Sequence, residues 1–253
     1  MNGKIGSLDP GVIESGNAAR RRETCLGKLV SSYPNFLASH DANTVTWKDG
    51  MVMMVDDGKG EKDFEARLNE PDLEDTFYAP YPLGRTGIPP AVNVDPGRIR
   101  YKPFFDKMYG DCSKGEVARN LVPVVWLPKH GGRTLRITSV NNVAHRLRDI
   151  SAELDELPDS FVKYLAPAGG TYHCRVIGGT TRRSAHGYGI AIDINAEWSD
   201  YWRWGQQVDG ESPYRNRIPW EIVETFEKHG FIWGGKWYHY DTMHFEYRPE
   251  LLP

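Results

Sequence analysis

The chain is short of cysteine, has no long apolar run, carries no basic excess and contains no repeat. Its three cysteines, Cys25, Cys112 and Cys174, form no C-x-x-C pair, which excludes a thiolate zinc site and a disulfide-dense scaffold. One bridge, with Cys25 to Cys112 the favoured pairing, fits an oxidising compartment, and three reduced thiols fit equally well. No apolar stretch approaches the roughly 20 residues that cross a bilayer, so no transmembrane segment is expected. A formal charge of -3 and a pI near 6.2 leave Arg20-Arg21-Arg22 as the notable basic cluster, which a solvated face explains. Nucleic acid is therefore not an expected partner. No internal period and no low-complexity tract point to a solenoid or a linker array. The opening Met-Asn-Gly-Lys lacks the apolar stretch of a signal peptide. A cytoplasmic protein and a mature form given a new start are both compatible with it.

What the chain does have is enough length for one substantial core or two small ones, at 253 residues. Its eight Trp and thirteen Tyr suit sites for sugars or peptides, and suit core packing at least as well. Up to about residue 115 the pattern is irregular. Helical spacing of Leu26, Leu29 and Val30 predicts a helix over Cys25–Leu37, broken at Pro34. Thr44–Trp47 and Met51–Val55 flank Lys48-Asp49-Gly50 and read as a hairpin. From Asn69 to Pro103 the chain is rich in Pro, Gly and Tyr, with Pro80, Pro82, Pro89, Pro90 and Pro96, and reads as loop.

From Glu116 the pattern sharpens. Val122–Leu127 and Thr134–Thr138 read as a second hairpin around Lys129–Gly132. Ser139 or Asn141 can cap a helix with the stripe Val143, Leu147, Ile150 and Leu154. A short helix is expected over Asp159–Leu165, and strands over Thr171–Ile177, Gly189–Asn195 and His244–Tyr247. Pro219 suits a first helical position, Ile222, Val223 and Phe226 form an apolar face, and Gly230 is the expected stop. Hairpins without regular β-α-β alternation predict an α+β fold with a mainly antiparallel sheet and flanking helices. Residues 1–115 read as an irregular N-terminal extension or wrapping region, with their Pro- and Tyr-rich character favouring a wrap that completes the core, and 116–253 read as the functional domain.

The chemistry concentrates in Ser184–Asp193 and Asp241–His244. Alternation along Gly189–Asn195 puts Ile190, Ile192 and Ile194 on one face, for the core, and Ala191, Asp193 and Asn195 on the other. Gly187 and Gly189 let the backbone turn so that His186 meets Asp193. In the last strand His244 and Glu246 share a face, so Glu246 is expected to orient a ligand or to pair with Arg248. Two imidazoles and a carboxylate, with Asp241 three residues before the second imidazole, are the kit of a hydrolytic zinc site with an open position. His40, His130, His145, His173 and His229 lack a partnered motif and read as structural. His239 reads as substrate-side or as packing.

Ser184-x-His186-x-x-Gly189-x-Ala191-x-Asp193 followed by Asp241-x-x-His244 resembles the VanY-like zinc peptidases. That family includes D-alanyl-D-alanine carboxypeptidases, D,D-dipeptidases and L-alanyl-D-glutamate endolysins. Gly169–Arg175 is similar to the family's arginine-bearing segment, and Gly230–Trp237 to its run into the last ligand strand. The resemblance covers the last hundred residues and does not reach the N-terminal region. It implies a small fold shared with the hedgehog domain, with Zn2+ held by His186, Asp193 and His244. Asp241 is the implied general base, where many members carry Glu. Arg175 is the implied oxyanion partner, with Arg182 or Arg183 as alternatives. Ser184, Glu246 and His239 are supporting or substrate-side candidates.

The implied substrate is a peptidoglycan stem peptide or another D-alanine-containing peptide of a bacterial cell wall. A carboxypeptidase is preferred to an endopeptidase, and a zinc-stabilised binding module without activity is the rival class. The Trp198–Trp220 stretch, with Tyr201, Trp202, Trp204 and Tyr214, is a candidate substrate lid or simple packing. A periplasmic or wall location follows if a signal peptide has been removed; otherwise the cytoplasm is open.

Overall fold

In the computed structural model, which describes residues 10–87, 90–205 and 212–253, helix α1 (Pro10–Ser32) ends where Tyr33 precedes Pro34. The proline ring disfavours helical backbone in the residue before it. Leu26 and Leu29 point inward with Tyr33, and α1 lies against the first strand of a small sheet. That sheet is β1 (Leu37–His40), β2 (Thr44–Trp47) and β3 (Val52–Met54), antiparallel in the order β1-β2-β3. The expected hairpin is β2-β3, turned at Gly50 with φ +85°. Val45, Trp47 and Met53 are buried while Val52 and Met54 are exposed, as period-two alternation requires. Two features differ from expectation: α1 begins well before Cys25, and Leu37 opens a strand instead of closing the helix. These elements form one compact unit, Met1–Gly58; Lys59–Pro253 form the other.

The second unit starts with α2 (Phe64–Asn69), where the Asp63 side chain accepts from the Ala66 N–H at 2.8 Å. The Pro-rich stretch is irregular apart from a turn of 3-10 helix at Glu74–Phe77, and Pro89 lies outside the described residues. It then enters α3 (Lys102–Tyr109), an element with no counterpart in the sequence reading. Pro103 sits in its first turn, Phe104, Phe105, Met108 and Tyr109 are buried, and Gly110 with φ +97° stops it. At barely two turns, it offers too little periodicity to be seen beforehand.

Strands β4 (Leu121–Trp126) and β5 (Arg133–Thr138) form the expected second hairpin. Helix α4 (Val143–Leu154) buries the stripe Val143, Leu147, Ile150 and Leu154. Its cap is neither Ser139 nor Asn141 but Asn142, and both asparagines take left-handed backbone. Helix α5 (Val162–Leu165) follows a 3-10 turn at Asp159–Phe161.

The last sheet carries the chemistry. It consists of β6 (Ala191–Asp193), β7 (Phe231–Trp233) and β8 (His244–Tyr247) in the antiparallel order β6-β8-β7. Helix α6 (Trp220–Lys228) precedes β7 and begins one residue after Pro219. Ile190, Ile192 and Ile194 are fully buried, as are Phe226, Phe231 and Phe245. The α+β class holds, with three separate small antiparallel sheets in place of one main sheet.

The expected strand over Thr171–Ile177 is instead irregular chain, touching neighbours through isolated bridges at Gly170–Asp193 and Val176–Arg183. Its backbone groups are satisfied across a loop: the His173 N–H donates to the His186 carbonyl at 3.2 Å, and the Ile177 N–H to that of Arg182 at 2.9 Å. The favoured Cys25–Cys112 bridge is also replaced, because Cys112 is bonded to Cys174. Helix α3 packs on the turn holding His186, and the Tyr188 hydroxyl donates to Asp106 at 3.0 Å. That packing brings the two cysteine Cα atoms to 5.6 Å, within bridging range.

Candidate metal centre

Ser184 begins the site. Its hydroxyl accepts from the His186 N–H at 3.3 Å and opens a 3-10 turn, Ala185–Tyr188, which Gly189 closes at φ +66°. A Cβ on Gly189 would lie 2.9 Å from Leu121 Cδ2, so both conformation and space demand glycine. The turn presents His186 and leads directly into β6. In the β6-β8 ladder Asp193 is the register partner of His244, which sets their side chains next to each other. Behind them, Gly169 donates its N–H to the Asp193 carbonyl at 2.7 Å, and Gly170 accepts from the Asp193 N–H at 2.9 Å.

Three ligand atoms converge here. His186 Nε2 lies 3.2 Å from His244 Nδ1 and 3.1 Å from Asp193 Oδ1, and His244 Nδ1 lies 3.0 Å from the same oxygen. Zinc held about 2.0–2.1 Å from tetrahedral donors would set those donors about 3.3 Å apart, close to this triangle. The far nitrogen of each ring is already committed. His186 Nδ1 donates to the Thr171 carbonyl at 2.7 Å, and His244 Nε2 donates to Glu246 Oε2 at 2.9 Å. The remaining nitrogen of each ring thus faces the same carboxylate oxygen, an arrangement that calls for a cation or a proton at its centre. The donor set fits a divalent metal.

The electrostatics agree. Burial alone would lower the pKa of His244, but the carboxylates of Asp193 and Glu246 reverse this and raise it to about 9. Burial opposes ionisation of Asp193 too, and the two imidazoles overcome it, holding the carboxyl well below its usual range. Glu246 is fully buried and also held low, chiefly by Arg100 and by the hydrogen bond from His244. Arg248 donates to its other oxygen at 3.1 Å.

The triangle opens into a cavity of about 260 Å³. Asp241 lines it and is fixed one turn before His244: its N–H donates to the Gly234 carbonyl at 3.0 Å, and its carbonyl accepts from the His244 N–H at 3.2 Å. A Cβ on Gly234 would lie 2.6 Å from the Asp241 carbonyl oxygen, so glycine permits this close approach. Asp241 Oδ1 is buried without a hydrogen-bond partner among the described residues. Burial and the neighbouring Asp193 push its pKa up to about 6.

Arg175 also lines the cavity, from the exposed loop after Cys174. Arg183 is engaged elsewhere, with Asp111 at 3.2 Å and Cys112 Sγ at 2.9 Å. Arg182 is not among the lining residues, and its pKa is lowered by burial and by Arg98 and Arg100. His239 is likewise outside the cavity wall, its Nδ1 held by Asp95 at 2.6 Å. Of the aromatics in the candidate lid stretch, Tyr201 and Trp204 line the cavity. Trp202 stacks edge-on against His239, and the Tyr214 hydroxyl donates to the Gly235 carbonyl. Residues 206–211 of that stretch lie outside the described residues.

Two lining residues, Arg98 and Arg100, were missed by sequence reasoning. The available signal was two arginines two apart in Asp95-Pro-Gly-Arg-Ile-Arg100, in a stretch whose prolines and glycines read as loop.

Residues 178–247 match the model of a family described as D-alanyl-D-alanine carboxypeptidase. The matched segment contains His186, Asp193, Asp241, His244 and Glu246, but not Arg98, Arg100 or Arg175. No curated protein and no solved structure matches the chain. At the family level the match supports a peptidase related to the D-alanyl-D-alanine carboxypeptidases, which are generally metal-dependent.

Proposed function

We propose that this chain is a zinc-dependent peptidase that hydrolyses an amide bond in peptidoglycan stem peptides, with removal of terminal D-alanine as its preferred reaction. One observation carries the reading: three converging donors share a cavity with a buried carboxylate oxygen of Asp241 that has no hydrogen-bond partner among the described residues. A purely structural zinc site has four protein ligands and no need of that fourth group. The β6-β8-β7 sheet bearing Asp193 and His244 supports the hedgehog-like peptidase fold that the motif implies.

His186, Asp193 and His244 would hold the ion, which when bound supplies Lewis acidity and a water with pKa near 7. Asp241, with its pKa near 6, accepts a proton close to neutral pH and returns it to the departing amine. Arg175 contributes positive charge toward the oxygen that becomes negative as the carbonyl is attacked. Tyr201 and Trp204 form an apolar wall suited to a short peptide. Positive charge from Arg98 and Arg175 in the cavity wall favours a substrate with a free carboxylate near the scissile bond, as a terminal D-alanine provides. The Cys112–Cys174 disulfide supports an oxidising location, in the periplasm or at the wall.

The test is incubation with defined muropeptides, with and without a chelator, and identification of products by mass. Chelator-sensitive release of D-alanine is the expected result. Chelator-sensitive cleavage inside the stem would replace the carboxypeptidase with an endopeptidase of L-alanyl-D-glutamate type. Zinc uptake without any product would favour a binding module.

A further inference from the structure

Between Val94 and Arg100 the chain runs as an irregular strap across the segment that carries Asp241 and His244. Their contacts are specific and largely buried. The Tyr238 N–H donates to the Val94 carbonyl at 3.0 Å, and the Trp237 indole N–H to that of Pro96 at 2.6 Å. Asp95, fully buried, accepts from the His239 backbone and ring at 2.9 and 2.6 Å. Arg248 donates to the Gly97 carbonyl at 2.7 Å. Gly97 has φ +89°, and a Cβ there would lie 2.3 Å from Ile232 Cδ1, so the strap is pressed directly onto β7.

The strap ends by delivering Arg100 to Glu246. The Arg100 guanidinium and the His244 imidazole both donate to Glu246 Oε2, while Arg248 takes Oε1. Only 7% of the Arg100 side chain is exposed, and its sole carboxylate partner among the described residues is Glu246. Arg248, by contrast, divides its guanidinium between Glu246 and Glu250. A buried carboxylate is costly unless cations and donors compensate it. Here the compensation also fixes direction, because it holds Oε2 where His244 Nε2 must donate.

We infer that Arg100, which lies outside the family-matched segment, is a positioning residue of the metal centre. Through Glu246 it keeps the proton-bearing Nε2 of His244 turned away and the Nδ1 lone pair turned toward His186 and Asp193. This inference rests on the zinc reading above. Side chains that orient a metal-bound imidazole typically contribute about 10- to 100-fold to metal affinity.

The test compares zinc affinity, by competition with a chromogenic chelator, for the full chain and for its Arg100→Gln and Arg100→Lys variants. Thermal unfolding of each metal-free protein is followed in parallel. Arg100→Gln is expected to bind zinc about 10- to 100-fold more weakly. Arg100→Lys should recover part of the loss, since an ammonium restores charge without the guanidinium's reach. In the zinc-loaded proteins the His244 imidazole N–H resonance should move upfield and exchange faster in Arg100→Gln, a change that loss of packing alone would not produce. A control, Arg85→Gln, breaks an exposed pair with Glu224 and should leave affinity unchanged. Wild-type affinity in Arg100→Gln, or an unmoved N–H resonance, would overturn the inference. If Arg100→Gln does not fold, Arg100→Lys decides, and wild-type affinity there would overturn it as well. A wild-type chain that takes up no zinc would instead overturn the metal reading itself, and this inference with it.

Discussion

The two ring nitrogens of His244 meet opposite demands: Nε2 must keep its hydrogen for Glu246, and Nδ1 must lose its hydrogen to hold a metal. With a pKa raised to about 9, the metal-free ring is doubly protonated at neutral pH. Zinc must therefore displace a proton from Nδ1. Apparent zinc affinity should rise with pH until about pH 9 and level off above it. Calorimetry at pH 7 in two buffers of different ionisation enthalpy should show release of about one proton per zinc. Equal heats in the two buffers would contradict this. The Asp241 carboxylate has a separable role. Asp241→Ala should retain zinc and lose about 10²- to 10⁴-fold in turnover, whereas His244→Ala should lose both. Near-normal turnover in Asp241→Ala would reassign the base. His186, Asp193 and His244 were legible in the sequence because strand alternation and the paired motif select them. Arg98 and Arg100 were not, because no local period marks them and the pairing of Arg100 with Glu246 spans 146 residues.

Among the elements, the hairpins and α4 were legible because two-residue and 3.6-residue periods persist through them. Thr171–Ile177, expected as a strand, is part of an irregular loop. Its β-prone residues lack a neighbouring ladder, and its form is set by the Cys112–Cys174 bridge and by bonds to the His186 turn. Arg183 donates to Cys112 Sγ and to Asp111, which ties the same loop to the end of α3. Arg175, adjacent to Cys174, reaches the cavity from this loop. Replacing both Cys112 and Cys174 by Ser should therefore lower kcat/KM several-fold, on the order of the 1.4 kcal/mol that a tenfold change represents. Zinc affinity should stay unchanged, because all three donors lie on other elements. Parallel zinc titration and peptide kinetics check this, and an equal loss in both would assign the bridge to the metal site instead.

In the molecule as a whole, residues 59–115, read in the sequence as part of an extension or wrapping region, share a compact unit with 116–253. Lys236 is almost fully buried and donates to the Pro82 and Gly84 carbonyls and to Glu227. The Tyr81 hydroxyl donates to Glu227 at 2.6 Å and accepts from the Trp233 N–H at 3.0 Å. Removing residues 59–115 would strand these groups together with Glu246, Arg248 and Trp237. Each stranded buried group costs about 1–3 kcal/mol, and their sum is comparable with the whole stability of a domain, about 5–15 kcal/mol. A fragment of residues 116–253 should thus lack cooperative thermal unfolding by circular dichroism, while residues 59–253 should retain it. A cooperative, zinc-binding 116–253 fragment would show the upstream segment to be dispensable. The Pro- and Tyr-rich composition points to wrapping, but the partners are not legible in sequence, because such a segment has no period that reveals what it packs against.

The proposed function requires that His186, Asp193 and His244 hold the ion on which peptide hydrolysis depends. It is tested most directly by stripping the protein with a chelator, returning zinc stepwise, and following bound zinc and stem-peptide hydrolysis together. Activity should be absent at the start and rise in proportion to zinc until a single ion is bound per chain, with no recovery in His186→Ala. Hydrolysis that persists in the stripped protein, or that returns equally in His186→Ala, would contradict the account.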